Sequence, residues 1–296
     1  MSVTRAQNAR HQAVAITPKH LITPQLADCD TRLAIAQTAT ERSIATHIEK
    51  HFPADRLAAL KTQFDKNGSV QLDHILPEKI HRQYLWEIER AFKNSGEEHH
   101  LINNETRTLR KYKKLPYDIV MRESILAQRL YQSKSLQRLA SSIVGDTVTE
   151  LNDEFAKDRV VAHQLSKGLS HGTHVDPKLI ALVLILKGLP KSAGGGMRFF
   201  NVPPRHRPVY PEKIKAITKK YRARAKTFYL PGNSAHISLA GELPHEVLPV
   251  TGPGTRVNVT HSYGTVTSDQ SEQRKAYERY VYEKEVLSTD KRAPIA

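Results

Sequence analysis

Apolar residues recur at helical spacing through the first half of the chain and give way near residue 158 to short β-branched runs between glycine and proline turns. Asp30 can cap a helix that begins near Thr31 and carries Leu33, Ile35, Ile44 and Ile48 on its apolar positions. Pro53 opens a shorter helix through Leu57, Leu60 and Phe64, which Lys66-Asn67-Gly68 ends as a turn. A short strand is expected at Val70 to Leu72. Pro77 then starts a strong helix through Ile80, Tyr84, Leu85, Ile88 and Phe92, closed by Asn94-Ser95-Gly96. Two more helices are expected at Ile125 to Tyr131 and Leu136 to Val144, the second closed by Gly145-Asp146.

From there the strands dominate: Val160 to Leu165, Leu179 to Leu186, Met197 to Val202, Thr227 to Leu230, His236 to Leu239, Val247 to Val250 and Arg256 to His261. Short strands at this spacing point to an all-β barrel or sandwich. The expected architecture is α+β, a helical N-terminal layer packed on a jelly-roll, cupin-like barrel. Residues 1–28 read as a basic tail, 29–150 as the helical layer, and 151–296 as the β core. The core carries a basic insertion at 203–226, with a helix from about Glu212 to Arg224, and a last polar helix from about Gln273 to Val286.

Composition adds limits. A chain of 296 residues with 39% hydrophobic and 25% charged residues can bury a full core without staples. Its longest apolar run, Leu179 to Leu186, is strand-sized and far short of a membrane span. The lone cysteine, Cys29, cannot form an internal disulfide, so nothing argues for secretion and a cytoplasmic location is expected. Arg5, Arg10 and Lys19 lend the first residues a faint likeness to a transit peptide, but Pro18 and Pro24 interrupt any amphipathic helix. The formal net charge of +15 suits an anionic small-molecule substrate, a loose attraction to nucleic acid or membrane surfaces, or solubility alone. Only two aromatics, Tyr210 and Tyr221, stand among the cations from Arg205 to Lys226, which weakens a nucleic-acid platform. That stretch is either a solvated helix face or a docking surface for an anionic substrate.

The chemistry gathers in His171-Gly172-Thr173-His174-Val175-Asp176. On extended backbone, residues two apart share a face, so the imidazole of His174 and the carboxylate of Asp176 can meet one metal ion. In a chain with 15 histidines one such pair is weak by itself. A third ligand must come from another strand. His245, in Leu243-Pro244-His245-Glu246-Val247-Leu248-Pro249-Val250, enters one. Two histidines and one carboxylate on one face, with open positions, are what a non-haem iron(II) oxygenase uses. Eleven residues after His245 comes Arg256, whose planar fork can grip the far carboxylate of 2-oxoglutarate. His236 competes with His245 for the third position, but the spacing to Arg256 and the Pro-Val context favour His245.

The order of these motifs is specific. His174-x-Asp176, a strand, Gly194-Gly195-Gly196 before Met197-Arg198-Phe199-Phe200, then His245 to Pro249-Val250 and Gly254-Thr255-Arg256 resembles the double-stranded β-helix iron(II)/2-oxoglutarate oxygenases, including their prolyl-hydroxylase-like branch. The likeness covers roughly residues 160 to 265. The wider string from His171 to Pro190 resembles oxygenases that act on free amino acids and similar metabolites. That branch holds hydroxylases and, where the carboxylate becomes glycine, halogenases.

The resemblance implies that His174, Asp176 and His245 bind Fe(II), that Arg256 pairs with the 2-oxoglutarate tail, and that O2 is the oxidant. It further implies a C–H oxidation with succinate and carbon dioxide as co-products. Where the family often has serine two residues after the arginine, this chain has Asn258, an amide able to donate to the co-substrate. Because Asp176 is present, the place of a halide ligand is filled, which implies hydroxylation, desaturation or ring closure rather than halogenation. His171 is expected as a loop histidine at the pocket mouth, with an alternative metal ligand or a substrate contact as the competing readings. Arg198 is expected either to meet a substrate carboxylate or to sit on the surface, and His261 to be structural. Three functions remain in competition: a small-molecule oxygenase, a protein or peptide hydroxylase with an open groove, and a non-catalytic barrel whose triad would not converge.

Overall fold

The computed structural model of the chain describes residues 24–102, 108–152, 157, 159–176 and 179–268. The N-terminal tail up to residue 23 and the expected helix from Gln273 to Val286 lie outside them. The chain divides into two compact units, Met1–Thr38 and Ala39–Ala296. Of the first, the described residues are the opening of helix α1 (Pro24–His51), which starts earlier than the capping pattern at Asp30 suggests. All that follows concerns the second.

Its helices are the remainder of α1, α2 (Ala54–Asn67), α3 (Glu78–Ser95), α4 (Tyr117–Glu123), α5 (Ile125–Tyr131), α6 (Lys134–Val144) and α7 (Ile214–Tyr221). α2 ends as expected. Gly68 takes φ +69, a left-handed conformation, and its N–H donates to the Phe64 carbonyl. α3 buries Ile80, Tyr84, Ile88, Ala91 and Phe92, one face of a 3.6-residue repeat. The same face buries Glu87, which is kept in place by accepting from Ser124 Oγ and the Leu126 amide at the start of α5.

The strands are β1 (Ser69–Asp73), β2 (Glu97–Ile102), β3 (Leu109–Leu115), β4 (Val148–Glu150), β5 (Val160–Ser166), β6 (Ser170–His174), β7 (Ile180–Lys187), β8 (Met197–Phe199), β9 (Lys226–Phe228), β10 (Ser234–Ser238), β11 (His245–Val247) and β12 (Thr255–Thr265). They form one curled antiparallel sheet in the order β1-β10-β7-β12-β5-β3-β6-β11-β8-β9, with β2 on β3 and β4 on β12. This is the jelly-roll, double-stranded β-helix fold.

Period-two alternation explains how each strand serves two masters. On β7, Ile180, Leu182, Leu184 and Leu186 face the helices, in one core with Tyr84, Ile88, Leu136 and Ile143. The residues between them, Ala181 and Val183, line the interior of the curl. On β12, Val257, Val259 and Tyr263 face the helices, and Arg256, Asn258 and Thr260 face inward. A strand covered on both faces reads as a continuous apolar run, as β7 does.

The expected helical layer at 29–150 holds four strands as well. β3 is the consequential one, because it sits between β5 and β6 and carries the sheet around the curl. Its sequence, LRKYKKL, places Leu109, Tyr112 and Leu115 three apart and fills the gaps with cations, so no strand period shows.

Candidate metal centre

Two cross-strand rows build the site. In the first, His174 of β6 pairs with His245 of β11, which pairs with Phe199 of β8. In the second, His171 pairs with Val247, which pairs with Met197. Between these pairs two residues of β6, Gly172 and Thr173, therefore stand opposite one of β11, Glu246, a β-bulge. Strict alternation would put His171 and His174 on opposite faces. The bulge turns both inward, with ring centroids 4.1 Å apart. His171 thus stands in a strand beside the first metal-type ligand, not in a loop at the mouth.

Asp176 follows Val175, whose side chain points away into a cluster with Val202, Val209 and Leu243. The Asp176 amide donates to the Ala240 carbonyl, tying the end of β6 to the turn after β10. Its carboxylate then lies 3.5 Å from His174 Nε2 through one oxygen and 3.8 Å from His245 Nε2 through the other. Ligand atoms of His174, Asp176 and His245 all fall within 4.8 Å of one another, and among the described residues this is the one such group.

The histidines are oriented from behind. His174 Nδ1–H donates to the Gly172 carbonyl at 2.6 Å and His245 Nδ1–H to the Leu243 carbonyl at 2.9 Å. Each bond fixes the tautomer that leaves the Nε2 lone pair facing Asp176, as a metal ligand requires. Burial pushes the His174 imidazole down to about 3; Arg110 and His245 push the same way, against Asp176. It is neutral at physiological pH, the ligating form. These donors fit a divalent transition metal.

Across the curl, Arg256 is 4% exposed and its Nη1 donates to Asn258 Oδ1 at 3.2 Å. Burial lowers its pKa to about 10, so it stays charged. Among the described residues it has no carboxylate partner. A buried guanidinium without a counter-ion is unfavourable unless an anion joins it. Triad and arginine line one cavity of about 50 Å3. His236 lines it too, with its ring against Phe199 at 5.3 Å, but stands outside the triad. Burial pushes His236 down to about 3, with Arg256 and His245 adding to the effect.

Arg198 is not brought to this cavity. Met197 lines it, and one residue on Arg198 faces the other way, donating to Glu246 at 2.8 Å and Thr227 at 3.3 Å. The period-two pattern of Met197-Arg198-Phe199 contained that signal. His261 lies on the helix side of β12, 3.3 Å from the Tyr84 hydroxyl, in keeping with a structural place. Tyr112 and His163 of the inner wall were missed. Tyr112 packs on His171 at 4.7 Å and edge-on to His163 at 5.0 Å, yet no motif marks either.

A family model, Halogenase D, matches residues 52–283. The chain belongs to the Halogenase D family. Comparison with curated protein sequences returns no match. Solved structures agree in fold. The epimerase SnoN, in complex with Fe3+, alpha ketoglutarate and nogalamycin RO, superposes with TM-score 0.56 at 14% identity, over 72% of this chain and 85% of that one. AviO1 from Streptomyces viridochromogenes Tue57 gives 0.53 at 15% identity, over 71% and 96%. HygX from Streptomyces hygroscopicus, with nickel and 2-oxoglutarate bound, gives 0.50 at 10% identity, over 71% and 87%. These likenesses agree with the double-stranded β-helix fold of this Halogenase D chain. Among the described residues of this family member no helix is long and apolar enough to cross a membrane.

Proposed function

We propose that this protein is a non-haem iron(II), 2-oxoglutarate-dependent oxygenase that oxidises, by hydroxylation, a C–H bond of an amino acid or related small metabolite. His174, Asp176 and His245 hold the iron, and Arg256 with Asn258 holds the far carboxylate of 2-oxoglutarate. When bound, iron, 2-oxoglutarate and O2 supply the oxidising chemistry, with succinate and carbon dioxide as co-products. The protein's part is to fix the ligands, neutralise the co-substrate's charge and exclude water behind the walls of β5, β7 and β12.

One observation carries this reading: the Asp176 carboxylate stands against both imidazoles, at 3.5 and 3.8 Å. It supports oxygenation in spite of the family's name, because the resemblance puts glycine at that place in halogenases. The buried Arg256 without a carboxylate partner supports a dianionic co-substrate. A non-catalytic barrel required a triad that does not converge, and these three ligands do.

The test is an anaerobic titration of the apoprotein with iron(II) and 2-oxoglutarate, followed by the weak visible charge-transfer band of the chelate. The band should appear in wild type, vanish in His174→Ala and need far more 2-oxoglutarate in Arg256→Ala. No band in fully metallated wild type would overturn the proposal.

A further inference from the structure

The sheet does not close. Its terminal strands β1 and β9 leave a seam, and a second cavity, of about 330 Å3, opens there. Small-molecule sites usually span roughly 300–1,000 Å3, so this one holds a ligand of its own. None of the triad lines it. It shares one wall with the metal centre, because Phe199 lines the seam and its ring stacks on His245, centroids 5.5 Å apart.

Four carboxamides line the cavity, those of Gln63, Asn67, Gln71 and Asn201, and no acidic side chain does. Each carries donors beside an acceptor. Asn201 Nδ2 donates weakly to Asn67 Oδ1 at 3.5 Å, which leaves Asn67 Nδ2 and Asn201 Oδ1 to face a ligand. The side chains of Gln63 and Gln71 make no hydrogen bond among the described residues. A donor next to an acceptor is the complement of a nucleobase edge, and a carboxamide bonded in two places to N6 and N7 is how proteins commonly read adenine. No carboxylate stands ready for an ammonium group.

Phe199 and Phe228 add flat faces on which a base can stack, with centroids 6.3 Å apart. They stand on β8 and β9, on either side of the basic insertion, and supply the aromatic surface which that stretch lacks. Lys226 lines the cavity, and Arg224 and Arg222 precede it at two-residue steps. All three are exposed, and none has an ion pair among the described residues. A row of cations suits consecutive phosphates better than one carboxylate. We infer that the seam binds an adenine nucleotide, its base on Phe199 and Phe228 against the carboxamides and its phosphates along Lys226, Arg224 and Arg222. The site is separate from the cavity of the triad and Arg256, whose roughly 50 Å3 has no room for a nucleotide.

The experiment is calorimetric titration of the full-length apoprotein, with EDTA present, against ATP, UTP, adenosine, inorganic tripolyphosphate and a short oligoadenylate. ATP should bind one to one, with UTP about fivefold weaker or more and adenosine and tripolyphosphate each about tenfold weaker or more. Lys226→Gln, an exposed change, should weaken ATP by about threefold or more and leave adenosine unaltered. Asn201→Trp, which fills the seam, should weaken ATP by about tenfold or more while melting within a few degrees of wild type. Where Asn201→Trp melts low, Lys226→Gln decides. The inference is overturned if ATP does not bind, if UTP or tripolyphosphate binds as tightly, or if Lys226→Gln or a stably folded Asn201→Trp binds ATP as well as wild type. Oligoadenylate binding more tightly than ATP would overturn it in favour of an RNA groove.

Discussion

His174 and His245 are cross-strand partners on β6 and β11, with ring centroids 4.3 Å apart and each Nδ1 committed to a carbonyl two residues upstream. The orientation of the two imidazoles is thus written into strand register rather than into loops. His236 lies on another strand and outside this pairing. His245→Ala should therefore abolish tight iron(II) binding, whereas His236→Ala should leave it within a few-fold of wild type. Calorimetric titration of the apoproteins under nitrogen separates the two. Equal losses would return His236 to the list of ligands.

Arg256 makes a prediction with two opposite signs. Without a carboxylate partner its burial is a burden on the apoprotein, and hydrophobic replacement of buried charge is often neutral or stabilising. With a co-substrate in place, loss of one partner of a buried charge pair costs about 2–5 kcal/mol. Arg256→Met should melt no lower than wild type as apoprotein, yet lose most of the thermal stabilisation that 2-oxoglutarate with manganese(II) confers. A variant that is destabilised as apoprotein by several degrees would show that the guanidinium has a structural role instead.

Much of the site was legible because its spacing is local. His174 and Asp176 sit two apart, and Arg256 shares β12 with Asn258, so period two suffices. The rest is set by relations the chain does not display. The inward turn of His171 depends on a bulge, visible only once β6 is laid against β11. Tyr112 enters the wall because a lysine-rich hairpin is drawn into the sheet between β5 and β6, where Tyr112 is buried and the lysines stay half-exposed at the surface. Of the fold, the helix-facing half of each strand was legible as apolar runs. The strands β2, β3 and β4 were not, since pairing partners rather than side-chain pattern hold them in place.

Behind the proposed metal ligands, Glu246 accepts from Arg198 Nη1 at 2.8 Å and from Thr173 Oγ1 at 2.5 Å. It thereby ties β8, β11 and β6 together on the face opposite the triad, next in sequence to His245 and to the neighbour of His174. Loss of such an outer partner typically lowers metal affinity roughly 10–100-fold. Glu246→Gln keeps one hydrogen bond and should fall near the lower end, with its circular dichroism unchanged. Glu246→Ala should fall further. Iron(II) affinity equal to wild type in both would reduce the network to surface decoration.

Asp176→Gly removes the carboxylate and leaves two imidazoles. Iron(II) affinity should drop by more than the roughly 10–100-fold of an outer-shell loss, and chloride should restore part of it by occupying the freed position. Asp176→Asn, which keeps the bulk, should lose affinity without responding to chloride. The measurement is the charge-transfer band at fixed iron and 2-oxoglutarate with chloride varied against sulfate. A chloride response in Asp176→Asn, or none in Asp176→Gly, would contradict the reading of Asp176 as the residue that fills the halide place.

His261 predicts an acid sensitivity unrelated to the metal. It is fully buried beside the Tyr84 hydroxyl and edge-on to Tyr131, and burial pushes its imidazole down to about 3. The unfolded chain takes up a proton near pH 6.5 that the folded chain refuses, so stability is full above that pH and falls as pH drops toward 3. Between pH 7 and pH 5 this one group should remove about 2 kcal/mol. His261→Gln should be less stable than wild type at pH 7, because packing and the tyrosine contact are altered, but should lose less on acidification. Urea melts of the two apoproteins at both pH values read the difference directly. If the two lose stability in parallel, His261 is not a proton-linked element of the core and the acid sensitivity belongs to other groups.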